Sequence, residues 1–235
     1  MKRLLLFDID STLILSKGIW GRCFFEAMQE VFPDVQKPQG LSFAGKTDLR
    51  VCGEILEYSN IPIKALEQNR EQVLNIYSEK AHLAAKKYAQ EVEILPGVIK
   101  LLQILQNKQD VVLTLLTGNI RFGAEAKLKC VDLHSFFDFE IGAWGDDHWD
   151  RNELPSIAIS RAKNKLGISF SGKEIVVIGD TVHDINCGKS LGVRSIAVGT
   201  GNTEKSVLLE EFPDFYFDDL TDESGFLEAI SKLFT

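Results

Sequence analysis

No apolar run in the 235 residues approaches the roughly eighteen that a membrane-spanning helix requires. Met1-Lys2-Arg3 is followed by only four apolar residues before Asp8, too few for the apolar stretch of a signal segment. The protein is therefore expected to work in the cytoplasm and away from membranes. Cysteine is sparse: Cys23, Cys52, Cys130 and Cys187 form no CxxC pair, and no histidine partners them at zinc spacing. That pattern points to reduced thiols rather than a disulfide framework or a structural zinc site. Internal repeats and low-complexity linkers are missing as well. Positive charge is outnumbered, 26 Lys and Arg against 34 Asp and Glu, for a net −8. Nucleic-acid affinity comes largely from Lys and Arg on phosphates, so a duplex binder is excluded. A small phosphorylated ligand needs only a local positive site and stays open.

What is present reads as an ordinary globular chain, 45% apolar and 26% charged. Short apolar, β-rich runs each end in polar or small residues: Leu4 to Asp8, Val111 to Leu116, Phe139 to Ile141, Glu174 to Gly179, Ser195 to Val198 and, more weakly, Phe215 to Phe217. Helical patterns separate them. Pro96-Gly97 opens one through Val98, Leu101, Leu102 and Leu105; Pro155 opens another, which Gly167 ends. Strands alternating with helices predict an α/β fold, a Rossmann-like, mostly parallel sheet with helices on both faces.

Residues 16–91 break the alternation. They show only helical patterns: Trp20, Phe24, Ala27, Met28 and Val31 on one face, Leu49, Cys52, Ile55 and Leu56 on a second, and a long third helix from about Ile63 to Tyr88. The expected organisation is a core of residues 1–15 and 92–235 with a small helical domain, 16–91, inserted after the first strand. The insert carries 10 basic and 10 acidic residues, so the whole −8 falls on the core.

Ligands of open parallel sheets bind beyond the carboxyl ends of the strands. The residues there are Asp8-Ile9-Asp10-Ser11-Thr12, Thr117-Gly118-Asn119, and Gly179-Asp180-Thr181-Val182-His183-Asp184. If the strands are neighbours, four carboxylates converge on one crevice. Two unit charges about 4 Å apart repel by roughly 4 kcal/mol at an effective dielectric of about 20, so some protonate or a cation sits among them. The donors are all oxygens, which suits a hard divalent cation, Mg²⁺ before Ca²⁺. Each motif alone also reads as a turn or a helix cap; their order and placement together make a site.

DIDST, LLTGN and GDTVHD resemble motifs I, II and IV of the haloacid dehalogenase superfamily, and the helical insert resembles the cap of its phosphoglycolate phosphatase and phosphoglucomutase-like branch. The resemblance implies a Mg²⁺-dependent phosphatase acting on a small phosphorylated metabolite through an aspartyl-phosphate. Asp8 would be the nucleophile and Asp10 the general acid and base. Asp8, the Asp10 backbone carbonyl, Asp180 and Asp184 would hold the metal. The Thr117 hydroxyl and the Gly118 and Asn119 N–H groups would grip phosphoryl oxygens.

The family's third motif, usually a Lys ahead of a helix, has no clean match. Counting back from Pro155 puts the position at Arg151 or Asn152, and Arg151 supplies the fixed positive charge; Arg161, Lys163 or Lys165 are the alternatives. Gly45-Lys46-Thr47-Asp48-Leu49-Arg50 resembles the cap loop that faces the active site, with Lys46 and Arg50 as candidate substrate contacts and Thr47 or Asp48 as a helix cap. His148, His183, Trp144 and Trp149 flank the motifs without an assigned role. A phosphomutase of the same fold and a catalytically weak phospholigand-binding regulator are the rival readings.

Overall fold

A computed structural model describes residues 2–234. Strand β1 (Arg3–Phe7) leads through a two-residue β2 (Ile14–Leu15) into three helices, α1 (Ile19–Val31), α2 (Asp48–Tyr58) and α3 (Lys64–Tyr88). After β3 (Glu93–Ile94) come α4 (Val98–Gln106), β4 (Val111–Leu115), α5 (Arg121–Lys129), α6 (Leu154–Leu166) and β5 (Ile175–Gly179). The chain ends with α7 (Val182–Asn186), β6 (Arg194–Val198), α8 (Lys205–Glu210), β7 (Phe215–Phe217) and α9 (Glu223–Leu233).

The continuous apolar strands form one parallel sheet in the order β4-β1-β5-β6-β7. Period-two alternation divides their side chains between two layers. Leu5 and Phe7 of β1 and Val176 and Ile178 of β5 join the core shared with α4, α5 and α9. Leu4, Leu6, Ile175 and Val177 join Leu154, Ala158 and Ala162 of α6. Gly167, at φ 69, ends α6 in the left-handed conformation a glycine adopts without steric cost.

Phe139–Ile141, expected as a strand, is not one. Its first residues lie in a turn, and nearby Ala143 makes a single bridge to Leu116. Two apolar residues around Glu140 are too few to hold a ladder against side-chain packing. Phe139 stacks between His134 and Trp144, with ring centroids at 4.3 and 5.1 Å.

Residues 16–91 are helical where they are regular. The β2–β3 ribbon pairs Ile14 with Ile94 and Leu15 with Glu93, so the chain leaves the sheet layer and returns to it side by side. Helix α1 packs along α3, and α3 against α5. The 25-residue α3 is largely polar; it is held by burying Val73, Tyr77, Ala81 and Ala84, large apolar side chains being worth about 1.5–3 kcal/mol each.

Candidate active site

The sheet register sets the site. Phe7 lies level with Leu115 and with Ile178, so Asp8, Thr117 and Asp180 emerge at one carboxyl edge. Beyond Asp8 the chain turns sharply. Ser11 adopts φ 61, uncommon for a residue with a side chain, and its N–H donates to the Ile14 carbonyl at 2.8 Å. This turn keeps Asp10 on the wall of the same cavity as Asp8.

Asp8, Asp180 and Asp184 are buried, and each offers an oxygen within 4.8 Å of the others. Arg151 is buried beside them; its Nη2 donates to Asp8 Oδ1 at 3.2 Å and pairs with Asp184 Oδ1. The Asp184 Oδ2 accepts from the Thr181 N–H at 3.0 Å and the Thr181 hydroxyl at 2.6 Å, which caps α7. Thr12 donates to Asp180 Oδ1 at 3.2 Å.

One guanidinium does not balance three buried carboxylates. Burial, reinforced by Asp184, pushes the Asp8 carboxyl up to about 7 despite Arg151. Burial, then Asp184 and Asp8, push Asp180 up to about 8. Burial would lower Arg151, but Asp184 and Asp8 raise it further above its ordinary value. Excess negative charge on an all-oxygen donor set is the environment a hard divalent cation fits.

The Asp10 carboxylate stands apart from this cluster. It pairs with Lys127 Nζ through Oδ2, which also accepts from Asn119 Nδ2 at 2.8 Å, while Ser16 donates to Oδ1 at 2.9 Å. Burial would raise Asp10; the Lys127 charge and these donors outweigh it and hold the group below its usual value. Lys127 also donates to Asn119 Oδ1 at 2.6 Å, and Asn119 Nδ2 reaches Thr117 Oγ1 at 2.7 Å. A single network therefore joins Asp10, Lys127, Asn119 and Thr117.

Residues 45–50 lie across the crevice. The Asp48 N–H donates to the Gly118 carbonyl at 2.7 Å, the Ile120 N–H donates to Asp48 Oδ2 at 2.8 Å, and the Thr47 hydroxyl donates to the Trp149 carbonyl at 2.7 Å. Thr47 also caps α2 by accepting from the Arg50 N–H. Gly118 permits this approach: a Cβ there would fall 1.8 Å from the Lys46 carbonyl oxygen. Burial raises the Asp48 carboxyl to about 7 even with the Ile120 hydrogen bond.

The other residues singled out from the sequence fall as follows. Lys46 lines the cavity with its Nζ paired to Glu54 at 2.6 Å. Arg50 is exposed, pairs with the same Glu54 at 3.3 Å and lies over the Trp149 ring; it does not line the cavity. Arg161 binds Asp147, and Lys165 binds Asp138 at 2.7 Å, whereas Arg151 is the cation on Asp8. His148 bonds Asp150 locally, Trp144 is core, and the Thr12 hydroxyl reaches Asp180.

Lys127 escaped the sequence reading, which sought charge at strand ends. The signal was there: Lys127 follows Ala124 by three residues and precedes Leu128, on the face of α5 that is buried. A cavity of about 450 Å³ lies over Asp8, Asp10, Thr117 and Asp180, and Trp20, Phe24, Phe43 and Tyr77 line it too.

Comparison with known proteins agrees with this geometry. A family model described as haloacid dehalogenase-like hydrolase matches residues 5–198. The pyrophosphatase PpaX of Halalkalibacterium halodurans is 26% identical over 218 residues, 92% of this chain and 93% of its own length. A predicted phosphatase from Clostridium acetobutylicum superposes with TM-score 0.67 at 19% identity, covering 97% of this chain and 99% of its own. A chain from Bacteroides vulgatus provisionally assigned as a β-phosphoglucomutase gives 0.69 at 18% identity, covering 100% and 90%. Among the described residues, no helix is long and apolar enough to cross a membrane.

Proposed function

Since the chain belongs to the haloacid dehalogenase-like hydrolase family, we propose that it is a Mg²⁺-dependent phosphatase of a small phosphomonoester. The observation that carries this reading is a buried Asp8 held by Arg151, within metal-sharing distance of Asp180 and Asp184, with a second, separately bonded carboxylate, Asp10, on the same cavity wall.

In this reading Asp8 attacks phosphorus and takes the phosphoryl group as an aspartyl-phosphate. Asp10 gives a proton to the departing oxygen and later takes one from the attacking water. Lys127, Asn119 and Ser16 fix the Asp10 carboxyl, two on one oxygen and one on the other. Arg151 orients Asp8 and supplies positive charge beside it. The Thr117 hydroxyl and the N–H groups of Gly118 and Asn119 receive phosphoryl oxygens as charge shifts during transfer. Mg²⁺, held by Asp8, Asp180, Asp184 and the Asp10 carbonyl, would neutralise substrate charge and polarise the phosphoryl group. Residues 16–91 act as a cap over the core of 1–15 and 92–235.

The test is phosphate release from an aryl phosphate in Mg²⁺, lost with EDTA and in Asp8→Asn. Protein that binds Mg²⁺ but turns over no member of a broad panel of phosphorylated metabolites would make it a binding protein instead. Phosphoryl transfer to a second hydroxyl in place of phosphate release would make it a mutase.

A further inference from the structure

The cavity that receives the phosphoryl group on one side is apolar on the other. Strand β2 contributes Leu15, α1 contributes Trp20 and Phe24, the segment between α1 and α2 contributes Leu41 and Phe43, and α3 contributes Tyr77. Phe24 meets Tyr77 and Phe43 edge-on, at 5.3 and 6.1 Å between centroids. Trp20, Phe24 and Tyr77 are buried behind this surface, and the half-buried Leu15, Leu41 and Phe43 form its apolar face toward the cavity.

The basic side chains on this cavity are already paired. Among the described residues, its basic side chains are each engaged by a carboxylate: Lys17 by Glu93, Lys46 by Glu54, Lys127 by Asp10, and Arg151 by Asp8 and Asp184. Lys127 further lies 5.7 Å from the centroid of the Trp20 ring. One phosphoryl group would be met by Arg151, the oriented N–H groups and a divalent cation. A second anionic group on the same substrate would find these cations already paired and would face Leu15, Leu41 and Phe43 instead.

We propose, building on the phosphatase reading, that the leaving group is uncharged and largely apolar: the substrate is a phosphomonoester of an aryl or aralkyl alcohol. Inorganic pyrophosphate, bisphosphates and phosphorylated carboxylic acids are poor substrates. The cavity volume, about 450 Å³ in all, is in the range of sites that enclose a ring-bearing ligand. The assignment separates this chain from the activity named for the pyrophosphatase relative, with which it shares the fold and 26% identity.

The experiment compares kcat/KM in Mg²⁺ for 2-phenylethyl phosphate, glycerol phosphate, phosphoglycolate and pyrophosphate. The first two both leave as primary alcohols, so their difference reads binding rather than leaving-group reactivity. The expected order places 2-phenylethyl phosphate at least about tenfold above each of the others, the scale of burying part of a ring. Phe43→Ala, at a half-buried position, should lower that value about tenfold, mostly through KM, and move glycerol phosphate less than about threefold, with circular dichroism reporting on the fold. Glu54→Gln, which releases Lys46, should raise the pyrophosphate value several-fold.

Faster turnover of pyrophosphate or phosphoglycolate, or an unchanged preference in both variants, would overturn the assignment and leave the phosphatase reading standing. Phosphate release from none of the four would instead remove the phosphatase reading. Calorimetry with 2-phenylethylphosphonate and methylenediphosphonate then decides the ligand class: tighter binding of the first supports it, and tighter binding of the second overturns it.

Discussion

At the carboxyl edge of the sheet the cavity meets Asp8, Thr117, Arg151 and Asp180, buried polar groups whose hydrogen bonds and ion pairs fix them in place. Across from them, the helical segment places Trp20, Phe24, Phe43 and Tyr77, with Phe24 edge-on to both Phe43 and Tyr77. The first surface is specified by charge and by strand register; the second by volume and shape. On the proposed reading, the difference teaches that reaction and substrate choice are carried by separate parts of the chain, and substitutions should break them separately.

The largest expected effect is at the nucleophile. Asp8→Asn should abolish phosphate release, by at least about four orders of magnitude, while circular dichroism shows an intact fold, since the change removes one of three clustered buried charges. Next is Arg151→Ala, which strands Asp8 and Asp184. Removing one partner of a buried ion pair costs about 3–5 kcal/mol, so thermal melting should fall by many degrees and the rate by several orders of magnitude. A near-native rate would show that the Arg151 charge is not needed for phosphoryl transfer.

Metal and protons compete at the same carboxylates. Burial and the neighbouring carboxylates push Asp8 up to about 7 and Asp180 up to about 8, above the ordinary carboxylate value. Their protonation stabilises the fold fully at acid pH, and that contribution is lost as pH rises through 7 to 8. Mg²⁺ should therefore raise the melting temperature more at pH 8 than at pH 6, with EDTA reversing the gain. An equal shift at both values would place the metal elsewhere.

Smaller effects test the Asp10 network and the rim. Lys127→Met should lower kcat by about tenfold to a hundredfold with little change in KM if Asp10, the proposed general acid and base, loses its positioning partner; Lys127→Arg should recover part of it. Arg50→Ala should stay within about threefold on every substrate. Its pair with Glu54 is exposed, and such pairs contribute little.

Much of the carboxyl edge could be read from the chain alone because parallel strands place their C-terminal residues in one crevice. Asp8, Thr117 and Asp180 follow from apolar runs that end abruptly, and the parallel sheet follows from the strand–helix alternation. Phe139–Ile141 does not pair as a strand because two apolar residues around Glu140 fit aromatic stacking as well as a ladder. The aromatic wall was hidden for a related reason. Trp20 and Phe24 are the residues any amphipathic helix would bury, and helical period does not say whether they face another helix or a ligand. Arg151 lay in reach because Pro155 fixes the start of α6 just beyond it; Lys127 did not, since a lysine on a helix is usually solvated.

The assignment of chemistry to the sheet edge stands or falls on Asp8. The most direct test is to acid-quench the enzyme during turnover of a radiolabelled aryl phosphate, reduce the product with borohydride and map the peptides. The account predicts label bound to protein in proportion to active enzyme and conversion of Asp8 to homoserine on reduction. Phosphate release with no label on the protein, or label on a residue other than Asp8, would contradict it.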